Sequence, residues 1–449
     1  MKALFLKYWD RLRSSFWFVP ASMACLAAVL ALGAVELDES ATDDWLVSLG
    51  WTYSGGAEGA SLLLSTVAGS MIAIAGTVFS MTLVVLSLAS SQLGPRLLRN
   101  FMRDTINQVV LGTFVATFVY CLLVLRTIRR ADESAFVPHL SVGIGVLLAI
   151  VSLGVLIYFI HHVSVSIHAD EVVARVGKEL EEGIEQLFPE HLGQAASEAS
   201  TGARMESLPE AFAREARPVK AASDGYLQLI NADALMELAC QEDLQLQLAC
   251  RPGHYLVRGR TMVMVWPADR VSDDLTEKVN AAFVLGNQRT AAQDVEFCFL
   301  QLVEIAVRAL SPGINDPFTA IACVDRLGSA LCRVAQRDMP SPCRYDAEGR
   351  LRLVAPGPTF DGIVDAAFHQ IRQNARSNPA VAIRMLEAIV QVAGHVRTAP
   401  NMACLQRHAD MIARGAREDV PEPNDLMDVE AGYAEASRVC REMAARLTA

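Results

Sequence analysis

Residues 59–95 read GASLLLSTVAGSMIAIAGTVFSMTLVVLSLASSQLGP, without one Asp, Glu, Lys or Arg. A helix that crosses the hydrocarbon core of a bilayer needs about 20 apolar residues, so this run of 37 is a membrane span with length to spare. Small and hydroxyl residues recur through it, unlike in a plain anchor. One face, followed at steps of three and four, carries Thr66, Ser70, Ala73, Thr77, Ser80, Val84, Ser87 and Ser91. Gly69 and Gly76 lie beside it. A hydroxyl can return its hydrogen bond to the preceding turn of its own helix, which makes it inexpensive in lipid. Small residues let two helix backbones approach closely. Two readings follow for Thr66, Ser70, Thr77, Ser80, Ser87 and Ser91. They form a packed helix seam, or they line a water path in a homo-oligomer, gated by Val or Met constrictions that dewet. No acidic residue lies in mid-span to select an ion.

Working outward, this is the second of four spans, at about 16–35, 61–91, 106–125 and 138–160. Lys2, Lys7, Arg11 and Arg13 precede the first, which reads as a retained start-anchor rather than a cleaved signal. The loop 36–58 carries six acidic residues and no Lys or Arg, which suits the outer face. Arg96, Arg99 and Arg103 follow the helix stop at Gly94-Pro95 and return the chain to the cytoplasm. They are spaced about one turn apart with Leu97, Leu98, Phe101 and Met102 between them. They are therefore also candidates for lipid headgroup contact from a basic amphipathic helix. Arg126, Arg129 and Arg130 disagree with this orientation, but the other three flanks agree. The expected protein is a multi-pass protein of a bacterial inner membrane, with both termini cytoplasmic.

The composition divides the same way. The chain has 449 residues, 52% hydrophobic and 20% charged, with a mean hydropathy of +0.28. Most of the charge lies after His168. The net charge of −11 argues against nucleic acid as a partner. Ten cysteines are scattered without a C-x-x-C pair or zinc spacing, which fits buried thiols in a reducing compartment. The fold class expected is an α-helical membrane domain of about four transmembrane helices, followed by a cytoplasmic α+β domain. The expected division is 1–165 for the spans, 166–222 for a membrane-proximal helix and linker, 223–268 for a small β-rich module and 269–449 for a helical domain.

Two blocks carry a resemblance. They are SMIAIAGTVFSMTLVVLSLASSQLGPRLLRNFMRD and LVEIAVRALSPGINDPFTAIACVDRL. Both are similar to a family of bacterial predicted membrane proteins classified only as a domain of unknown function. The resemblance implies an inner-membrane protein with N-terminal spans, and implies no activity, ligand or catalytic residue.

In the soluble part, GYLQLI, LQLQLAC and HYLVRGRTMVMVWP read as strands around a short helix at 232–240. The strand–glycine–strand cadence is similar to small lipoyl-like barrels, although no lysine sits in the turn to carry a cofactor. Thr290 with Gln293 reads as a capping box. The helix after it buries Val295, Cys298, Leu302, Ile305 and Ala309 on one stripe. Asp316-Pro317 reads as an N-cap followed by proline at the first helical position. SPGINDPFT is then a helix–helix corner. A second reading gathers Arg289, Asp294, Glu304, Arg308, Asn315 and Asp316 around a small charged ligand. Asp365 and His369, one turn apart, suit a metal or an acid–base pair, though a surface ion pair is commoner. No nucleotide fingerprint, nucleophile elbow or His-Glu metal helix is present, so no cofactor, metal or enzymatic activity is expected. The expected function is an oligomeric channel-like or transport protein with a cytoplasmic assembly or gating domain, its small-molecule or ion ligand unknown. The alternative is a membrane-anchored sensor or scaffold.

Overall fold

A computed structural model describes residues 17–40, 56–93, 105–129, 136–166, 168–188 and 208–448. The chain divides into two compact units, Met1–Glu171 and Val172–Ala449. The first unit contains α1 (Phe18–Ser40), α2 (Ala57–Leu93), α3 (Thr105–Thr127) and α4 (His139–Ser166). All four are long and apolar enough to cross a membrane. α2 is 37 residues long, or roughly 55 Å at 1.5 Å per residue, well beyond a hydrocarbon core of about 30 Å.

α3 is the centre of this unit and packs against each of the other three helices. Its approach to α1 depends on small side chains. Ala27, Ala31 and Ala34 of α1 are buried, and a Cβ at Gly112 would lie 3.2 Å from the backbone of Pro20. α2 buries Ala60, Leu64, Ala68, Met71, Ala75 and Val78 against its neighbours. Some polar groups inside the unit bond between helices. Thr117 and Ser152 share a hydrogen bond of 3.0 Å, and the Tyr120 hydroxyl donates to the Ser141 carbonyl at 3.0 Å. Asp38, near the end of α1, accepts from the amides of Leu140 and Ser141 and caps α4.

The second unit opens with α5 (Ala169–Leu187), whose apolar stripe of Val172, Val173, Val176, Leu180 and Ile184 is buried. After α6 (Phe212–Glu215) come β1 (Arg217–Lys220), β2 (Gly225–Ile230), α7 (Ala232–Gln241), β3 (Gln245–Leu248), β4 (Tyr255–Leu256) and β5 (Thr261–Trp266). Then follow α8 (Asp273–Ala281), β6 (Phe283–Gly286), α9 (Val295–Ala309) and α10 (Pro317–Ala335). β7 (Cys343–Tyr345), β8 (Leu351–Val354), α11 (Phe360–Asn374), α12 (Pro379–Ala393), α13 (Ala399–Asp419) and α14 (Pro423–Thr448) complete it.

The strands form a five-stranded sheet in the order β1-β5-β3-β8-β7 and a three-stranded sheet in the order β4-β2-β6. Alternation in β3 follows the sequence, with Leu246 and Leu248 buried and Gln247 exposed. The lipoyl-like barrel is not formed, because helices separate the strands and β3 pairs in parallel with β8. The β-rich part also extends beyond 223–268. β1 lies before it, and β6, β7 and β8 come from the stretch read as helical. Arg352 of β8 explains part of that recruitment. Its side chain is buried and reaches Asp346 at 2.7 Å and Asp243, beside β3, at 2.8 Å. Removing one partner of such a buried charge would be costly, so the hairpin is fixed to β3 by charge as well as by backbone pairing. The remaining helices pack on one another, with α12 and α13 against α14, α10 against α12, and α11 against α9 and α13.

Candidate functional site

Three places in the structure carry chemistry: the outward face of α2, the two ends of α9, and the contact between α11 and α13.

On α2, Thr66, Ser70, Ala73, Thr77, Ser80, Val84 and Ser87 are all exposed. The Thr66, Ser70 and Thr77 hydroxyls donate to the carbonyls of Leu62, Thr66 and Ala73 at 2.7, 2.8 and 3.1 Å. Each proton is thus spent inside the helix, while oxygen lone pairs remain available. A Cβ added at Gly69 or Gly76 would meet nothing within 4 Å. A shallow groove of about 550 Å³ runs along Ala73, Gly76, Thr77, Ser80, Met81 and Val84. Among the described residues, no helix of the same chain covers this face. Ser91 is helical, but its side chain lies outside the described residues, as do Arg96, Arg99 and Arg103.

At α9 the six residues read as a ligand ring are not brought together. Asp294 is the N-cap, accepting from the Phe297 amide at 3.1 Å and pairing with Arg289 at 2.6 Å. Glu304 and Arg308 lie along the helix, and Asn315 and Asp316 lie beyond its far end. The 15 residues of α9 span roughly 22 Å, too far for one small ligand to touch both ends. Asp316 caps α10 instead, accepting from the Phe318 and Thr319 amides at 3.1 and 3.2 Å. Asn315 takes a left-handed conformation with φ 51°, as a tight corner requires. The capping box at Thr290 is also corrected. Gln293 uses its side chain to pair with the backbone of Ile230, and the cap falls to Asp294.

A cavity of about 280 Å³ does open beside the N-terminus of α9, with Arg251, Gln293, Asp294, Glu296 and Arg344 among its lining. Arg251 pairs with Glu296 at 2.8 Å and donates to His254 at 3.3 Å. Burial, with the Arg251 cation beside it, holds His254 below its ordinary pKa. Gly253 is required here. Its φ is +91°, and a Cβ would run into the Asp294 carboxylate and the Arg289 guanidinium.

Between α11 and α13, Asp365 Oδ1 is a shared acceptor. His408 Nε2 lies 2.8 Å from it, Arg407 2.8 Å and His369 Nε2 3.1 Å. His408 is fully buried, with its ring edge-on to Phe368 and 5.0 Å from the ring of His369. Asp365 and His369 are each about one-third exposed and form the open side. Burial pushes His408 down to about 4, against a smaller upward pull from Asp365. Burial alone would raise the Asp365 carboxyl, but the hydrogen bonds from Arg407 and His408 outweigh it and hold it below the usual range. The sequence pairs Asp365 with His369 by helical spacing. His408 and Arg407 were missed, since they lie 43 and 42 residues further on. The available signal was a histidine on the apolar stripe of α13, beside Leu405, Ala409 and Ile412.

These features define a multi-span membrane protein, with four apolar helices followed by a unit of small sheets and a mostly helical C-terminal part. The chain belongs to the DUF2254 family of predicted membrane proteins, whose profile matches residues 13–391. Uncharacterized proteins of Mycobacterium bovis and Mycobacterium tuberculosis are 31% identical to it over 437 residues, covering 96% of this chain and 81% of each relative. No solved structure matches the chain.

Proposed function

We propose that the protein is a homo-oligomeric, channel-like or transport protein of the bacterial inner membrane, with the hydroxyl face of α2 turned toward water shared between subunits. The observation that carries this reading is the stripe from Thr66 to Ser87, exposed among the described residues, on a span that buries Ala60, Leu64, Ala68, Met71, Ala75 and Val78 on another face. Small residues favour close approach of a second copy, and uncharged polar walls suit a pore. Met81 and Val84 border the same groove and supply apolar constrictions. Basic flanks put both termini in the cytoplasm, and the C-terminal unit serves assembly or gating without catalysis. Single-channel recording from purified oligomers in bilayers tests this, with labelling of cysteines introduced singly at Thr66, Ser70, Thr77, Ser80 and Ser87. Conductance and labelling by a membrane-impermeant thiol reagent along the whole stripe are expected. Silent bilayers across voltage, tension and pH, with unlabelled positions, would reject it.

A second reading, a membrane-anchored sensor or scaffold, is favoured by the cavity beside α9, where charged side chains of both signs line a half-open space. A metabolite screen against the full protein tests it. A hit that Arg251→Ala abolishes is the expected result.

A further inference from the structure

We propose that Asp365, His369 and His408 form a binding site for a divalent transition-metal ion of the zinc class. Two imidazoles and one carboxylate are a ligand set that suits zinc, cobalt and nickel better than calcium or magnesium, which prefer all-oxygen cages. The three side chains offer donor atoms within 4.8 Å of one another. Asp365 Oδ1 lies 2.8 Å from one Nε2 and 3.1 Å from the other. Tetrahedral zinc with bonds of about 2.0–2.1 Å sets its ligands about 3.3 Å apart, so the two Asp365–histidine distances would each need to open by only a few tenths of an ångström. The helices supply both rigidity and access. His408 is fully buried on α13 and forms a fixed back wall. Asp365 and His369, one turn apart on α11, form the accessible front. A plain surface pair at this spacing would not need a second imidazole buried behind it.

Arg407 sets the strength. Its guanidinium lies 2.8 Å from the same carboxylate oxygen and is 43% exposed, so it is free to swing into solvent when a metal takes that oxygen. It acts as a resident competitor. In addition, neither His369 Nδ1 nor His408 Nδ1 has a hydrogen-bond partner among the described residues. Outer partners of ligating histidines are typically worth about ten- to a hundredfold in affinity. The site therefore belongs in the micromolar range and is loaded reversibly, not a permanent structural zinc.

The test is a cobalt(II) titration of the purified full-length protein near neutral pH, followed by visible absorption and by competition with zinc(II). One equivalent per chain with the intense bands of four-coordinate cobalt is expected. His369→Ala and Asp365→Asn should each weaken binding by at least about tenfold. Arg407→Ala should tighten it several-fold, a gain that a purely structural hydrogen-bond hub would not give. His369 is partly exposed, so its variant is expected to stay folded, and thermal unfolding checks this. Absence of cobalt binding at millimolar metal overturns the proposal. So does a folded His369→Ala protein that binds as wild type, or an Arg407→Ala protein that binds no more tightly.

Discussion

On α2, Thr66, Ser70 and Thr77 each give a proton to a carbonyl of their own helix and leave an open face. Between α11 and α13, the Asp365 carboxylate takes hydrogen bonds from Arg407 and from the fully buried His408 across the two helices, with His369 of its own helix 3.1 Å away. The first arrangement is complete within one helix and costs nothing when a partner arrives or leaves. The second exists only when two helices are docked. Hydroxyl faces of the first kind are free to be used between molecules, while carboxylate hubs of the second kind hold one molecule together. Thr117 and Ser152 are the intermediate case, hydroxyls that do bond across helices within the membrane unit.

The contrast can be broken most forcefully at Asp365. Asp365→Ala strands a buried imidazole and removes the anchor of Arg407, and should cost about 3 kcal/mol. The checking measurement is the thermal transition of the C-terminal unit in the purified protein. A loss under about 1 kcal/mol, the range of exposed ion pairs, would make the hub no different from a surface pair.

Acid should act next, through His408. Its folded pKa is about 4 against an ordinary 6.5, so between those values the unfolded chain binds a proton that the folded chain does not. Stability is therefore full above pH 6.5 and falls as the pH drops toward 4, by on the order of 3 kcal/mol at most. The depressed Asp365 carboxyl adds a loss of the same sign at still lower pH. Urea unfolding across this range checks it, and a flat profile would contradict the burial of a neutral imidazole.

Smaller effects sharpen the membrane side of the comparison. A double-mutant cycle of Thr117→Val and Ser152→Ala should give a coupling of about 0.6 kcal/mol, the usual size for hydroxyls bonded between spans. Ser70→Ala should change the stability of a single chain by less than about 0.5 kcal/mol, because it removes no bond to another helix. Unfolding in mixed detergent micelles resolves both. A larger loss at Ser70, in verified monomers, would show that this face has a partner within the chain.

Much of the fold is legible in the residues because its causes are local. The uncharged run 59–95 has the length and apolarity of a span whatever surrounds it. Alternation in LQLQL sets which side of β3 is buried. Asp316-Pro317 starts a helix through its own hydrogen bonds and its fixed φ. The failures share a different cause. The Thr290–Gln293 pattern lost to Asp294 because Gln293 found a better partner in the backbone of Ile230, a contact across 63 residues. The ring proposed around α9 failed because residues close in sequence sit at opposite ends of a rigid helix. The hub at Asp365 was half visible, since helical spacing gives His369 but nothing local gives His408.

By itself the sequence determined that this chain spans a membrane four times and continues into an α+β unit. Hydrophobic length, charge segregation and side-chain period act over one or two turns and need no partner. Only the tertiary structure decided which face of α2 stays uncovered, that β7 and β8 join the earlier strands, and that His408 meets Asp365. Each of those depends on pairings across tens of residues. Their free energy comes from burial and hydrogen bonding that no single segment can provide alone.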